Sequence, residues 1–172
     1  MRALVVFESI FGNTRTVAEA IGEGLSSTHE VVVVSVGAVT AEQVATADLL
    51  VVGGPTHVHG LSSDMSRSGV EDTAAKSGGD LMLDPDYDLG DLRSWFAALP
   101  QTTGKGAAFD TRVDGAVLFT GHACKGIGSR LTRHGYTLVV EPESFLVDKQ
   151  TVLLPGEVER ARAWGAHVGI SC

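Results

Sequence analysis

The stretch Ala3-Leu4-Val5-Val6-Phe7-Glu8-Ser9-Ile10-Phe11-Gly12-Asn13-Thr14-Arg15-Thr16 contains the junction that decides the fold. Its first five residues are apolar, as expected for a strand buried on both faces of a parallel sheet. A helical pattern begins at Thr14, so a turn joins the strand to a helix. Gly12 lets the backbone approach a ligand, and Ser9, Thr14 and Thr16 supply hydroxyl groups. The free N–H groups of the helix point into this turn, which is an arrangement that binds phosphate.

The same turn excludes two common nucleotide sites. It lacks the Gly-Lys-Ser/Thr of a nucleoside triphosphate loop and the full Gly-x-Gly-x-x-Gly of a dinucleotide site. A small phosphomonoester therefore fits better than ATP or NAD. The alternative is a plain capped turn, because many strand-to-helix turns carry Gly and Thr for capping reasons alone.

Composition favours one α/β domain over residues 1–172, with 44% apolar residues and 21 glycines. The net charge of −8 argues against nucleic acid as a partner. No apolar run reaches the roughly 18 residues that a membrane span needs. The N-terminus leads directly into a strand, so we expect no signal peptide, and Cys124 and Cys172 are too far apart for a disulfide framework. These features together predict a cytoplasmic protein.

Strand and helix patterns alternate along the chain, which predicts a parallel sheet with helices on both faces. After the first helix, whose apolar stripe is Val17, Ile21 and Leu25, we expect strands at 31–36, 49–52 and 106–109, and a fifth beginning at 137–140. Further helices are predicted at 40–45 after an N-cap at Thr40, weakly at 64–76, at 92–98 after Asp91, from Cys124 to near Gly135, and from Pro155 onward. Five such strands most often adopt the order 2-1-3-4-5 in a three-layer α/β/α sandwich.

This topology places the ligand crevice where strands 1 and 3 diverge, so the loops after strands 1, 3 and 4 should resemble ligand loops. The loop after strand 3 is Gly53-Gly54-Pro55-Thr56-His57-Val58-His59-Gly60, which is stiff, polar and closely approachable. The loop after strand 4 is Asp110-Thr111-Arg112-Val113-Asp114. Both have the expected character.

On these three loops the chain resembles the flavodoxin family over nearly its full length. Ser9-Ile10-Phe11-Gly12-Asn13-Thr14 is similar to the family's FMN phosphate loop. The resemblance implies that FMN is the cofactor and that the flavin ring lies between the other two loops. Its predicted contacts there are Pro55, Thr56, His57, Val58, His59 and Gly60 on one side, and Asp110, Thr111 and Arg112 on the other.

Two departures from the family pattern leave the function open. The usual Trp and Tyr around the ring are missing, and the segment 61–90 is long enough to be a lid, a dimer contact or a tolerated insertion. The first interpretation is an FMN-binding electron-transfer protein that serves a redox partner protein or a small-molecule acceptor, as a monomer or homodimer. The alternatives are an NAD(P)H-dependent quinone or flavin reductase, and a flavin-free binding or regulatory module.

Other chemistry-bearing residues have plainer interpretations. His57 and His59 lack further metal ligands nearby, so we expect them to flank the ring. Cys124 shares its helical spacing with apolar neighbours, which predicts a buried, inert thiol. The acidic run from Asp80 to Asp91 is predicted to be a solvated loop. Glu8 ends strand 1 without a second carboxylate, which argues against a receiver domain of the same topology.

Overall fold

The computed structural model describes residues 1–56, 74, 81–115 and 121–172. Within these residues the strands are β1 (Arg2–Phe7), β2 (Glu30–Ser35), β3 (Leu49–Pro55), β4 (Gly104–Val113), β5 (Tyr136–Leu138) and β6 (Glu143–Val147). The helices are α1 (Asn13–Leu25), α2 (Ala41–Thr46), α3 (Leu92–Ala98), α4 (Ala123–Arg133) and α5 (Glu157–Ile170).

The sheet is parallel throughout and has the order β2-β1-β3-β4-β5, which confirms the predicted 2-1-3-4-5 topology. The fifth position is filled by two short strands in succession. β5 pairs with Gly104–Gly106, whereas β6 pairs with Phe109–Val113 farther along β4. Pro142 lies between them and has no N–H to donate, which is consistent with a break in the ladder at this point.

Two apolar clusters fill the faces of the sheet, because the buried strands present side chains alternately to each side. One face is covered by α1 and α5, and it buries the predicted stripe of Val17, Ile21 and Leu25 completely. The other is covered by α2, α3 and α4, whose buried members include Leu92, Phe96, Ile127 and Leu131. The molecule therefore has the predicted three layers.

Helices α1 and α5 pack closely because glycines replace side chains at their contact. A Cβ atom built on Gly165 would collide with the backbone carbonyl oxygen of Ile21, and one on Gly24 would collide with that of Arg162. Each glycine thus lies directly against the backbone of the opposite helix. This contact fixes the first helix of the chain against the last.

Local capping signals predicted two of three helix starts. Thr40 and Gln43 form a reciprocal capping box at α2, and Asp91 accepts the Ser94 amide at the start of α3. The prediction that the last helix begins at Pro155 is wrong. Gly156 adopts a left-handed conformation, with φ of 86°, and α5 begins after it at Glu157.

Several expectations concern parts of the chain outside the described residues. These are the weak helix at 64–76, except for residue 74, and the loop 57–60. Among the helices that the structure does describe, none combines the length and the apolar character needed to cross a bilayer.

Candidate functional site

The turn after β1 presents a row of unused backbone donors. Gly12 adopts φ of 82° and precedes α1, whose first turn receives no side-chain cap. The amides from Ile10 to Arg15 donate no hydrogen bond to any residue that the structure describes. Ser9 Oγ is buried and also lacks a partner with good hydrogen-bond geometry. No atom of the described residues would lie within 4 Å of a Cβ built on Gly12.

Side chains of the turn tie it to later parts of the chain. Asn13 Nδ2 donates to the Thr151 carbonyl oxygen at 2.7 Å, and Thr14 Oγ1 lies 2.8 Å from Thr111 Oγ1. The Thr16 hydroxyl donates back to the Gly12 carbonyl oxygen at 3.1 Å. The hydroxyl groups of Thr14 and Thr16 therefore stabilise the turn, and Ser9 is the one predicted hydroxyl that lacks such a contact within the described chain.

A cavity of about 230 Å³ opens beside this turn and brings the three predicted loops together. The predicted site residues that line it are Ile10, Phe11, Asn13, Thr14, Pro55, Thr56, Thr111 and Arg112. Val113, Val147 and Thr151 complete the described lining. The predicted residues His57, Val58, His59 and Gly60 fall outside the described residues.

A larger cleft, of about 450 Å³, lies on the other side of Arg112 between the starts of α4 and α5. Its carboxylates Glu143 and Glu157 are both paired with Arg160, at 2.7 and 2.6 Å. The smaller cavity is the better candidate for an anionic ligand, because it adjoins the turn whose amides from Ile10 to Arg15 are unused, whereas the larger cleft is lined by two carboxylates.

The strand ends extend farther than the sequence predicts, and this changes the position of several site residues. Gly53, Gly54 and Pro55 belong to β3, and the residues 110–113 belong to β4, so their assignment to loops is wrong. Gly53 is required where it lies, because a Cβ atom there would collide with the ring of Phe109. The longer strands extend the rigid sheet up to the cavity.

Asp110 and Thr56 form an internal hydrogen-bond network that begins helix α4. The Thr56 hydroxyl donates to Asp110 Oδ2 at 2.9 Å and accepts the Ala123 amide at 2.8 Å. The same Asp110 oxygen accepts the Cys124 amide at 2.8 Å. The residue at the N-cap position, His122, provides no side-chain cap, so these two distant residues perform that role. Asp110 therefore directs its carboxylate into the protein interior.

Arg112 and Cys124 lie on either side of this network. Arg112 Nη1 donates to the carbonyl oxygens of Val113 and Gly115 and so curves along its own strand end. Cys124 is buried, as the sequence predicts. Burial, reinforced by the charge of Asp110, raises the pKa of its thiol to about 11, which keeps the sulfur protonated and unreactive at neutral pH.

Sequence reasoning missed the residues that hold the turn from behind. Asp84 is 2% exposed, so the prediction of a solvated acidic run is wrong at this position. Burial opposes its ionisation, but hydrogen bonds from Arg15 and from the Asp86 amide lower its pKa. Glu8 is equally buried, and its carboxylate accepts the Leu92 amide at 2.9 Å. The sequence feature that could have identified Glu8 is its position directly after a fully apolar strand.

The described residues contain no candidate metal site, because no group of three or more His, Cys, Asp or Glu side chains among them could hold a metal ion. The pair His57 and His59 is not covered by this statement, since both lie outside those residues.

Comparisons with known proteins agree with this geometry. The chain resembles an archaeal flavodoxin, with 23% identity, a TM-score of 0.67 and coverage of 99% of this chain and 97% of the other. It also resembles oxidised Flavodoxin 2 from Bacillus cereus, with 20% identity, a TM-score of 0.68 and full coverage of both chains. Rubredoxin oxygen:oxidoreductase from Desulfovibrio gigas matches with 17% identity and a TM-score of 0.64, over 99% of this chain but 35% of that protein. A search of the curated proteins found no match.

These structural similarities lie below 25% identity and establish the fold. The sequence model of the Flavodoxin family matches residues 5–114, which include the turn after β1 and the ends of β3 and β4. That match covers more than half of the 172 residues. The chain therefore belongs to the flavodoxin family.

Proposed function

We propose that this chain binds FMN and passes electrons to a redox partner protein or a small-molecule acceptor. The observation that carries the proposal is the group of unused backbone amides of Ile10–Arg15 in the turn beside the 230 Å³ cavity. Bound FMN would supply the capacity to accept and release one or two electrons. The residues of the chain bind and orient it.

The donor set fits a phosphomonoester. Backbone amides at the start of the 13-residue helix α1 favour an anion through their N–H groups and the helix dipole. No lysine or unpaired arginine is needed, and the arginine in the first turn of α1 is already engaged. Arg15 hydrogen bonds to Asp84 and Asp86, so its charge supports the turn and is not directed at the ligand.

The ring is proposed to lie between Pro55–Gly60 and Asp110–Asp114. Neither tryptophan of the chain is placed to cover it. Trp164 packs against Phe109 and Phe145 in the core under α5, and Trp95 lies in α3 beside a separate cavity. Imidazole and guanidinium groups would then replace the aromatic pair usual in the family. A guanidinium such as that of Arg112 near the ring would favour negative charge on the reduced flavin.

The overall charge of −8 supports a positively charged protein partner, because complementary charge accelerates encounter. The test of the proposal is an absorbance titration of flavin-stripped protein with FMN, with riboflavin as the control. A shifted flavin spectrum and a strong preference for FMN are the expected result. Absence of binding at about 50 μM FMN would contradict the proposal, because a phosphate-anchored flavin should bind well below this concentration.

Variants at the turn test the phosphate assignment. Replacing Asn13 and Thr14 together with alanine removes the tethers to Thr151 and Thr111, and we expect FMN binding to be lost. Retained tight binding would contradict the assignment. Oxidation of NAD(P)H by the loaded protein in the presence of a quinone would instead indicate the reductase alternative.

A further inference from the structure

A buried ion pair holds the phosphate-binding turn from the side away from the cavity. The Asp84 amide donates to the Ile10 carbonyl oxygen at 2.7 Å. Its carboxylate accepts two hydrogen bonds from Arg15, at 2.9 Å from Nε and 2.6 Å from Nη2. The same Nη2 donates to Asp86 Oδ2 at 2.7 Å, and the Asp86 backbone amide donates to Asp84 Oδ1 at 3.0 Å.

These contacts connect both ends of the turn to one residue, with Ile10 bound to the backbone amide of Asp84 and Arg15 to its carboxylate. Ile10 lies in the turn, and Arg15 lies in the first turn of helix α1, so the unused amides fall between the two attachments. The Arg15 guanidinium also lies 4.9 Å from the centre of the Phe7 ring, at the end of β1. The strand end, the turn and the helix start are therefore all fixed relative to Asp84.

Burial makes this pair different from the surface ion pairs of the molecule. The Asp84 side chain has no exposed surface and that of Arg15 is 29% exposed. By contrast, the pair between Arg162 and Glu23, which also joins α1 to another element, is 47% and 60% exposed. Removing one partner of a buried pair leaves an uncompensated charge, whereas an exposed pair contributes little.

We propose that Asp84 is a positioning residue, which through Arg15 and Ile10 holds the amides of the turn in the convergent arrangement that selects a phosphomonoester. The inference rests on the proposed function. Asp84 touches no ligand itself, and its negative charge would repel a phosphate if it acted through space. Positioning and through-space electrostatics therefore predict opposite effects when the charge is removed.

The test compares affinity for FMN and for riboflavin in flavin-stripped variants, by fluorescence quenching. Asp84→Asn should weaken FMN binding by about tenfold, as expected for loss of a charge-assisted hydrogen-bond pair, and change riboflavin binding much less. Glu23→Gln, at the exposed pair, should leave both affinities unchanged. Unchanged or tighter FMN binding by a folded Asp84→Asn protein would overturn the proposal, as would equal losses for FMN and riboflavin.

A double-mutant cycle shows whether the pair acts as a unit. Arg15→Gln with Asp84→Asn should weaken FMN binding no more than either change alone, whereas additive losses would contradict a shared role. If Asp84→Asn does not fold, Arg15→Lys and Asp86→Asn are the milder variants. Each should reduce the preference for FMN over riboflavin, because lysine cannot make the forked contact and Asp86 supplies its second acceptor. An unchanged preference in both variants would reject the proposal.

The wild-type titration separates the two proposals. If wild-type protein does not bind FMN, the proposed function fails. If it binds FMN but the Asp84 and Arg15 variants bind FMN equally well, the positioning role alone fails.

Discussion

The hydroxyl group of Thr56 lies 2.9 Å from Oδ2 of Asp110, a carboxylate with no exposed surface. Thr56 follows β3 and Asp110 lies within the neighbouring strand β4, and together they accept the Ala123 and Cys124 amides at the start of α4. The family resemblance implies that both contact the cofactor. The observed contacts give them a structural role as well, which binding measurements and stability measurements can separate.

Replacing Asp110 with asparagine should destabilise the flavin-free protein. A neutral amide oxygen would form weaker hydrogen bonds with Thr56 and Cys124, and the NH₂ group would be buried at the position of Oδ1, which has no partner among the described residues. We expect the free energy of unfolding in urea to fall by about 1–3 kcal/mol. Asp114→Asn, at the exposed end of the same segment, is the matched control and should have little effect. Equal stability of both variants would contradict a capping role for Asp110.

The close contact between α1 and α5 predicts that replacing glycine with alanine has different effects on stability at two helical positions. Gly165→Ala should destabilise the protein by about 1–3 kcal/mol, because its methyl group would collide with the Ile21 carbonyl oxygen. Among the described residues, the methyl group of Gly126→Ala in α4 would meet only the flexible end of Arg130, at 3.4 Å. That variant should be as stable as wild type or more stable by about 0.5–1 kcal/mol, since alanine favours the helix. Thermal unfolding of the two variants measures this difference in stability. Destabilisation by Gly126→Ala without destabilisation by Gly165→Ala would contradict the prediction.

Acidification should destabilise the protein partly through His29. Burial, with a smaller contribution from the N-terminal charge and Lys105, lowers the pKa of His29 below its ordinary value of 6.5, and Asp48 opposes this only in part. The unfolded chain therefore binds more protons than the folded one as the pH falls below about 6.5, so the free energy of unfolding decreases there. Above this pH both states are neutral and the effect disappears.

Urea unfolding at a series of pH values tests this prediction. His29→Gln should flatten the dependence of the unfolding free energy on pH between about 7 and 5. His167→Gln, at an exposed position on α5, is the control. A slope unchanged by His29→Gln would show that other groups cause the acid sensitivity.

The two cysteines should differ in reactivity. Cys124 is buried and its thiol has a pKa raised to about 11, whereas Cys172 is partly exposed. At about pH 8 an aromatic disulfide reagent should react with Cys172 first and with Cys124 only on unfolding. The Cys172→Ser variant should then show no fast reaction. A fast reaction in that variant would mean that Cys124 is accessible, contrary to its burial.

Local sequence patterns predicted the structural features that depend on residues close together in the sequence. The stripe of Val17, Ile21 and Leu25, the caps at Thr40 and Asp91, and the alternation of elements all depend on residues a few positions apart. The order of the strands followed from the alternation, because few topologies are available to five such strands. The turn from Ser9 to Thr14 was identified because its residues are contiguous.

Contacts between distant residues were not predictable in the same way. Arg15 and Asp84 are separated by 69 positions, and Glu8 and the Leu92 amide by 84. No local pattern distinguishes Asp84 from its acidic neighbours, since its burial depends on where Arg15 lies in the folded chain. The start of α5 was misplaced because proline is favoured at the first position of a helix, but the left-handed Gly156 intervenes.

The tether from Asn13 to Thr151 has a consequence for the order of events during synthesis. The two residues are 138 positions apart, and α1 is packed against a helix that ends at Ile170. A chain that leaves the ribosome N-terminus first exposes the turn after β1 long before Thr151 and α5 have been synthesised. Long-range parallel pairing is also slow to form. The nascent chain thus lacks the contacts that fix the proposed FMN site until residues as far along as α5 have left the ribosome.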